Sequence, residues 1–86
     1  MVRKMIEINR FKEWLSKNTE YSEAVVNDIV SRMKRADRIL PWEPTKVYLF
    51  HLEQQDEFGR LSVSVKSQIR RAVRLYSDFI QLTIRL

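Results

Sequence analysis

Apolar residues recur at steps of three and four positions through the last part of the chain, and this spacing constrains the fold more than any other feature. The residues are Val65, Ile69, Ala72, Val73, Tyr76, Phe79 and Ile80. Such steps place side chains on one face of an α-helix, because the helix repeats every ~3.6 residues. The spacing therefore predicts a long helix over about 62–83, with one face in a core.

Three earlier segments have the same spacing and predict helices over about 9–17, 22–40 and 45–54. Pro41 and Pro44 end the second helix, because proline lacks the amide hydrogen that a continuing helix needs. Residues 55–60 are predicted to form a loop in which Gly59, the one glycine of the chain, is free to take a positive φ. The pattern predicts a single all-α domain over residues 1–86, folded as a compact four-helix bundle.

Side chains that cap helices lie at the predicted helix starts. An N-cap oxygen accepts a hydrogen bond from a free amide of the first turn, which stabilises the helix end. The expected caps are Asn9 for the first helix, Ser22 for the second, Thr45 for the third, and Ser62 or Ser64 for the last.

The residues needed for most catalytic and metal-binding sites are scarce. The chain has no cysteine, which excludes disulfides, thiolate metal sites and a cysteine nucleophile. His51 is the only histidine, and one glycine cannot build a glycine-rich phosphate loop. We therefore expect no enzymatic activity, no metal and no cofactor. No apolar run approaches the ~20 residues of a membrane span, and the lack of cysteine fits a reducing cytoplasm, so a cytoplasmic location without membrane association is expected.

Basic residues lie off the apolar faces of the second and last predicted helices. They are Arg32, Arg35, Arg38, Lys66, Arg70, Arg71 and Arg74. Like charges three or four positions apart on a helix repel by ~0.2–0.5 kcal/mol per pair, and a polyanion relieves that repulsion. The net charge of +5 also favours a phosphate-rich partner. These residues are therefore predicted to bind double-stranded DNA, the alternative being a basic face that is merely solvated.

Polar neighbours of these cations extend the predicted DNA contact. Gln68 lies one turn from Arg71 and is a candidate for contact with adenine or phosphate. Ser64 and Ser67 lie near the start of the last helix, where free backbone amides also favour phosphate.

A second interpretation is a protein–protein interaction or self-association module. Trp42 lies between the two prolines and is predicted to close one end of the bundle, with an exposed contact residue as the alternative. Leu82, Ile84 and Leu86 make the C-terminal residues apolar, which fits packing on a partner or on a following domain.

The order of these features carries a family resemblance. An F-x-x-W-L opening, formed by Phe11, Trp14 and Leu15, precedes a helix capped by Ser22, and the last helix contains A-V-R-L-Y-S-D-F from Ala72 to Phe79. Across nearly the whole chain, this pattern resembles the N-terminal core-binding domain of tyrosine recombinases of the phage-integrase type. The resemblance implies a SAM-like orthogonal arrangement of four helices, in which the second and last helices approach DNA.

The chain also departs from that family. Arg70 and Arg71 occupy positions that are often small or apolar there, and the H-x-x-R motif of the catalytic domain is absent, since His51 is followed by Leu-Glu-Gln. Tyr76 lies on the predicted core face, where it cannot act as a nucleophile. The resemblance therefore implies a non-catalytic module for DNA recombination or integration, whose catalytic domain lies C-terminal to this sequence or is missing altogether.

Overall fold

The computed structural model describes residues 6–84, with side chains to Leu82, and its regular structure over that range is entirely helical. The helices are α1 (Ile8–Asn18), α2 (Glu23–Ile39), α3 (Tyr48–Glu53), α4 (Asp56–Gly59) and α5 (Val63–Ile84). The prediction of an all-α fold is confirmed. The four predicted helices correspond to α1, α2, α3 and α5, and α4 is an additional helical turn.

The serine caps are confirmed, and the other two predicted caps are wrong. The Ser22 hydroxyl accepts from the amide of Val25 at 3.3 Å, and that of Ser62 accepts from Val65 at 3.2 Å. Asn9 lies inside α1, which begins one residue earlier, so its side chain does not cap that helix.

The third helix is shorter than the predicted range of 45–54. The Thr45 amide donates to the Glu43 carbonyl at 2.8 Å, so the backbone makes a tight turn there before any helix begins. α3 starts only at Tyr48, with Val47 at the N-cap position and no side-chain cap. Thr45 is therefore part of the turn rather than the cap.

Residues 55–60, predicted to be a loop, form the short helix α4. The Gly59 amide donates to the Gln55 carbonyl at 3.0 Å, and the Arg60 amide donates to Asp56 at 3.1 Å. Phe58 is 2% exposed, and its burial draws this turn onto the core. Gly59 has no positive φ, because it is the last residue of this right-handed helical turn.

The predicted apolar face of the last helix lies in the core. α5 packs against α2 and α1, and all the predicted stripe residues are buried or half-buried. Full burial of a side chain of the size of leucine or phenylalanine contributes ~1.5–3 kcal/mol. The buried residues are Phe11, Leu15, Val26, Ile29, Val30, Met33, Ala36, Tyr48, Leu52, Phe58, Ile69, Ala72, Val73, Tyr76 and Phe79.

Tyr76 joins the start of the described chain to the turn between α2 and α3. Its ring packs edge-on against Phe11 and Trp42, with centroids 5.0 and 4.9 Å away. Its hydroxyl accepts from the backbone amide of Glu7 at 2.9 Å. Burial raises the pKa of the Tyr76 phenol above its ordinary value, because the charged form is poorly solvated there.

Trp42 closes one end of the core, as predicted. It is half-buried against the core cluster, and its backbone amide donates to Asp37 Oδ1 at 2.9 Å. Tyr48 supports the same turn by donating its hydroxyl to the Leu40 carbonyl at 2.6 Å. The indole Nε1 of Trp42 is buried and has no hydrogen-bond partner among the described residues.

Candidate nucleic-acid interface

A side-chain hydrogen bond joins the two helices that carry the predicted DNA contacts. Arg32 of α2 donates through Nε to Oε1 of Gln68 on α5, at 2.7 Å. Because α2 and α5 pack against each other below this pair, Arg32 and Gln68 lie at the junction of the two helices. The polar side chains of α2 and α5 therefore meet at one place on the surface.

Further cations continue from this junction in both directions. Arg35 is exposed and lies three positions after Arg32 on α2. Arg71 is exposed, lies three positions after Gln68 on α5, and has its guanidinium 4.7 Å from the ring centroid of Tyr21. Residues three apart on a helix are surface neighbours. We call Arg32, Arg35, Gln68 and Arg71 the junction surface.

The Tyr21 contact was not expected from the sequence. Tyr21 precedes the Ser22 cap and packs half-buried against the core, so its ring forms a fixed support for Arg71. A guanidinium over an aromatic face gains ~0.5–1 kcal/mol at an exposed site and keeps its hydrogen-bond donors free. Arg71 is thus held in place while remaining available to an anion.

Lys66 and Arg70 lie on the side of α5 that faces α4, away from the junction surface. Their charged groups are 6.0 and 5.6 Å from the ring centroid of Phe58. Gln68, between them in sequence, reaches α2 instead. The cations of α5 are therefore divided between two sides of the helix.

Arg70 is also paired within the chain. Its Nε and Nη2 donate to the same carboxylate oxygen of Glu53, at 3.1 and 2.8 Å. Both side chains are about one-third exposed, at 31% and 33%. This pairing was missed because Arg70 and Glu53 are 17 positions apart, beyond any helical spacing. Arg70 therefore holds α5 to α3, and a phosphate would have to compete with Glu53 for it.

The remaining predicted contacts are exposed. Arg38 lies in the last turn of α2, where a cation also complements the helix dipole, and Arg74 lies beside the segment that leads into α3. Within the part of the chain that the structure describes, Arg35, Arg38 and Arg74 form no ion pair. These arginines keep their full charge for an external partner.

The hydrogen bond to Arg32 limits what Gln68 can recognise. Bidentate pairing with adenine requires both the carbonyl oxygen and the amide nitrogen of a glutamine. The carbonyl oxygen of Gln68 already uses one of its two lone pairs to accept from Arg32, whereas its amide group is free to donate. A phosphate contact needs only the amide group, so it is compatible with the Arg32 contact as it stands. Ser64 and Ser67 are exposed, as a phosphate contact requires.

No family model, no curated protein and no solved structure matches this chain. Across the described residues, no three acidic or histidine side chains are grouped closely enough to hold a metal ion. In the same part of the chain, no helix has the length and apolar character needed to cross a membrane. His51 is exposed, with its ring 5.8 Å from that of Phe50.

Proposed function

We propose that this protein is a DNA-binding module that contacts duplex DNA through the junction surface and the exposed arginines beside it. The observation that carries the proposal is the 2.7 Å hydrogen bond between Arg32 and Gln68, which joins the polar surfaces of α2 and α5 at one point. Phosphate contacts fix the register and orientation of a protein on a duplex, and cations on two joined helices can supply such contacts at separate points.

The proposed interaction relies mainly on phosphate neutralisation. Each phosphate that a cation neutralises releases bound counterions, which gives a log–log salt slope of ~−0.9 per contact on duplex DNA. The cations most available for this are Arg32, Arg35, Arg38, Arg71 and Arg74. Arg70 contributes less, since it is already paired with Glu53, and Lys66 contributes less because it lies on the α4 side of α5, away from the junction surface.

We further propose that the helices adopt the SAM-like arrangement of the core-binding domain of tyrosine recombinases. The support is the ordered pattern from Phe11 to Phe79 together with basic side chains on α2 and α5. In this proposal the chain positions DNA without cleaving it, and a catalytic domain performs recombination or integration. Tyr76 then serves only in the core, where its hydroxyl accepts a hydrogen bond from Glu7.

A double charge reversal tests the proposal directly. Arg35→Glu with Arg71→Glu should abolish binding to a fluorescent duplex at low salt, measured by anisotropy. Thermal unfolding should show a folded protein that has lost only the ~0.5–1 kcal/mol of the contact between Arg71 and Tyr21. The matched control is Lys12→Glu with Arg60→Glu, which changes the net charge equally at exposed positions outside α2 and α5. Equal loss of binding in both double variants would show that total charge, not this surface, drives the interaction. Binding by the Arg35 and Arg71 variant at wild-type affinity would refute the proposal.

A protein–protein interaction module is the second candidate. Val47 and Phe50 are 50% and 63% exposed and lie three positions apart at the start of α3, so they form a small apolar surface. Leu82 is 50% exposed, whereas the side chains of Ile84 and Leu86 lie outside the described residues. Trp42 packs against Tyr76, so it is less available for contact with a partner protein than an exposed residue would be. Light scattering with and without a short duplex separates the candidates, because an assembly module self-associates and ignores DNA.

A further inference from the structure

A cavity lies between the turn that follows α2 and the second half of α5. Its volume is about 580 Å³, and Trp42, Lys46, Leu49, Val73, Arg74 and Asp78 are among its lining residues. Sites for small organic ligands occupy ~300–1,000 Å³ and combine apolar walls with a few polar groups. This cavity has both the size and the mixed lining of such a site, and Arg74 is its only lining residue that the DNA-binding proposal uses.

One lining residue carries a buried hydrogen-bond donor that lacks an acceptor. Trp42 lines the cavity, and its indole Nε1 is buried with no partner among the described residues. A buried donor without an acceptor costs stability, because it has lost its hydrogen bond to water without gaining another. A ligand oxygen delivered to this region, with a small adjustment of the turn, would remove that cost. The cavity therefore favours a ligand that has an acceptor as well as an apolar body.

The charges of the lining define the ligand further. Lys46 and Arg74 supply two cations, and Asp78 supplies one carboxylate. None of these three forms an ion pair with another described side chain. The lining thus has an excess of one positive charge, which a ligand with a single negative charge balances.

We propose that this cavity binds a small organic monoanion with an aromatic or other apolar body, such as an aromatic carboxylate. The apolar body packs against Trp42, Leu49 and Val73, and the carboxylate lies towards Lys46 and Arg74. The proposal goes beyond DNA binding and does not depend on it, because no nucleic acid takes part in the interaction.

The test uses the two indole N–H signals of the ¹⁵N-labelled protein. Trp14 is a built-in reference, since it packs against Phe11 and Phe79 and does not line the cavity. Titration with 2-naphthoate should shift the Trp42 signal saturably and leave the Trp14 signal in place. A Trp14→Phe variant assigns the two signals.

Exposed lining residues provide the variants, so that folding is preserved. Lys46→Gln with Arg74→Gln should weaken binding roughly threefold to tenfold, as expected for the loss of two exposed charge contacts. Asp78→Asn should tighten binding, because it removes the one repulsive charge, and Arg35→Gln is the neutral control away from the cavity. The proposal is overturned if 2-naphthamide binds as tightly as 2-naphthoate, if the Trp42 signal does not shift, or if Asp78→Asn weakens binding.

Discussion

Arg32 Nε lies 2.7 Å from Gln68 Oε1, although the two residues are 36 positions apart in the chain. This contact fixes the amide of Gln68 as a donor towards any partner at the junction of α2 and α5. The oxygen of Gln68 serves the fold, whereas its amide nitrogen is free for the DNA contact that we propose. Substitutions of Gln68 can therefore separate stability from DNA binding.

Gln68→Glu should lower affinity for duplex DNA without lowering stability. A carboxylate accepts more strongly from Arg32, so the melting temperature should stay the same or rise slightly, while its charge repels phosphate. Affinity, measured by anisotropy, should fall roughly threefold to tenfold, the effect of ~1 kcal/mol. Gln81→Glu is the matched control on the same helix and should change affinity less than ~twofold. If both variants lose affinity equally, Gln68 has no special place in the interface.

Arg70→Glu should destabilise the fold, unlike the same change at Arg35. It replaces the ion pair between Arg70 and Glu53 by two carboxylates and removes the guanidinium from the Phe58 ring. Because both partners are about one-third exposed, solvent screening limits the expected cost to about 1 kcal/mol. Urea unfolding measures it, and adding Glu53→Arg should restore most of the loss. No rescue would mean that the ion pair contributes little.

Stability should decrease at alkaline pH because of Tyr76. Its pKa is raised in the folded protein, so the unfolded chain ionises first, near pH ~10. The contribution of Tyr76 is therefore fully present below that pH and is lost as the pH rises through the higher pKa of the folded state. Tyr76→Phe should be less stable at neutral pH by ~1 kcal/mol, owing to the lost hydrogen bond from Glu7, and should show a shallower alkaline decrease. If stability falls equally at alkaline pH in the wild type and in Tyr76→Phe, ionisable groups other than Tyr76 cause the decrease.

Ser22→Ala should cost about 1 kcal/mol of unfolding free energy, because the Ser22 hydroxyl caps α2. Thr45→Ala should change stability by less than ~0.5 kcal/mol, since Thr45 caps no helix. Thermal denaturation followed by circular dichroism compares the two. A larger loss at Thr45 than at Ser22 would contradict the observed start of α3.

Local patterns predicted the helices and most of the core, and the contacts missed by the prediction are non-local. The spacing of Ile69, Val73 and Tyr76 reports burial because a helix repeats regularly along the sequence. The burial of Phe58 could not be predicted in this way, because α4 is a single turn and is too short to show a periodic pattern of apolar residues. Likewise, the contacts of Arg70 with Glu53 and of Arg32 with Gln68 depend on how the helices pack. The sequence therefore indicated which cations lie outside the core, but not which of them are already paired.

The position of Tyr76 has a consequence for how the molecule comes apart. One ring touches Phe11 and Trp42, and its hydroxyl holds the backbone at Glu7. Neither α1 nor the turn between α2 and α3 can separate from the core without breaking contacts of Tyr76. Because Tyr76 belongs to α5, that helix would be disturbed as well. We expect the protein to lose its structure in one cooperative transition, with no stable half-folded form.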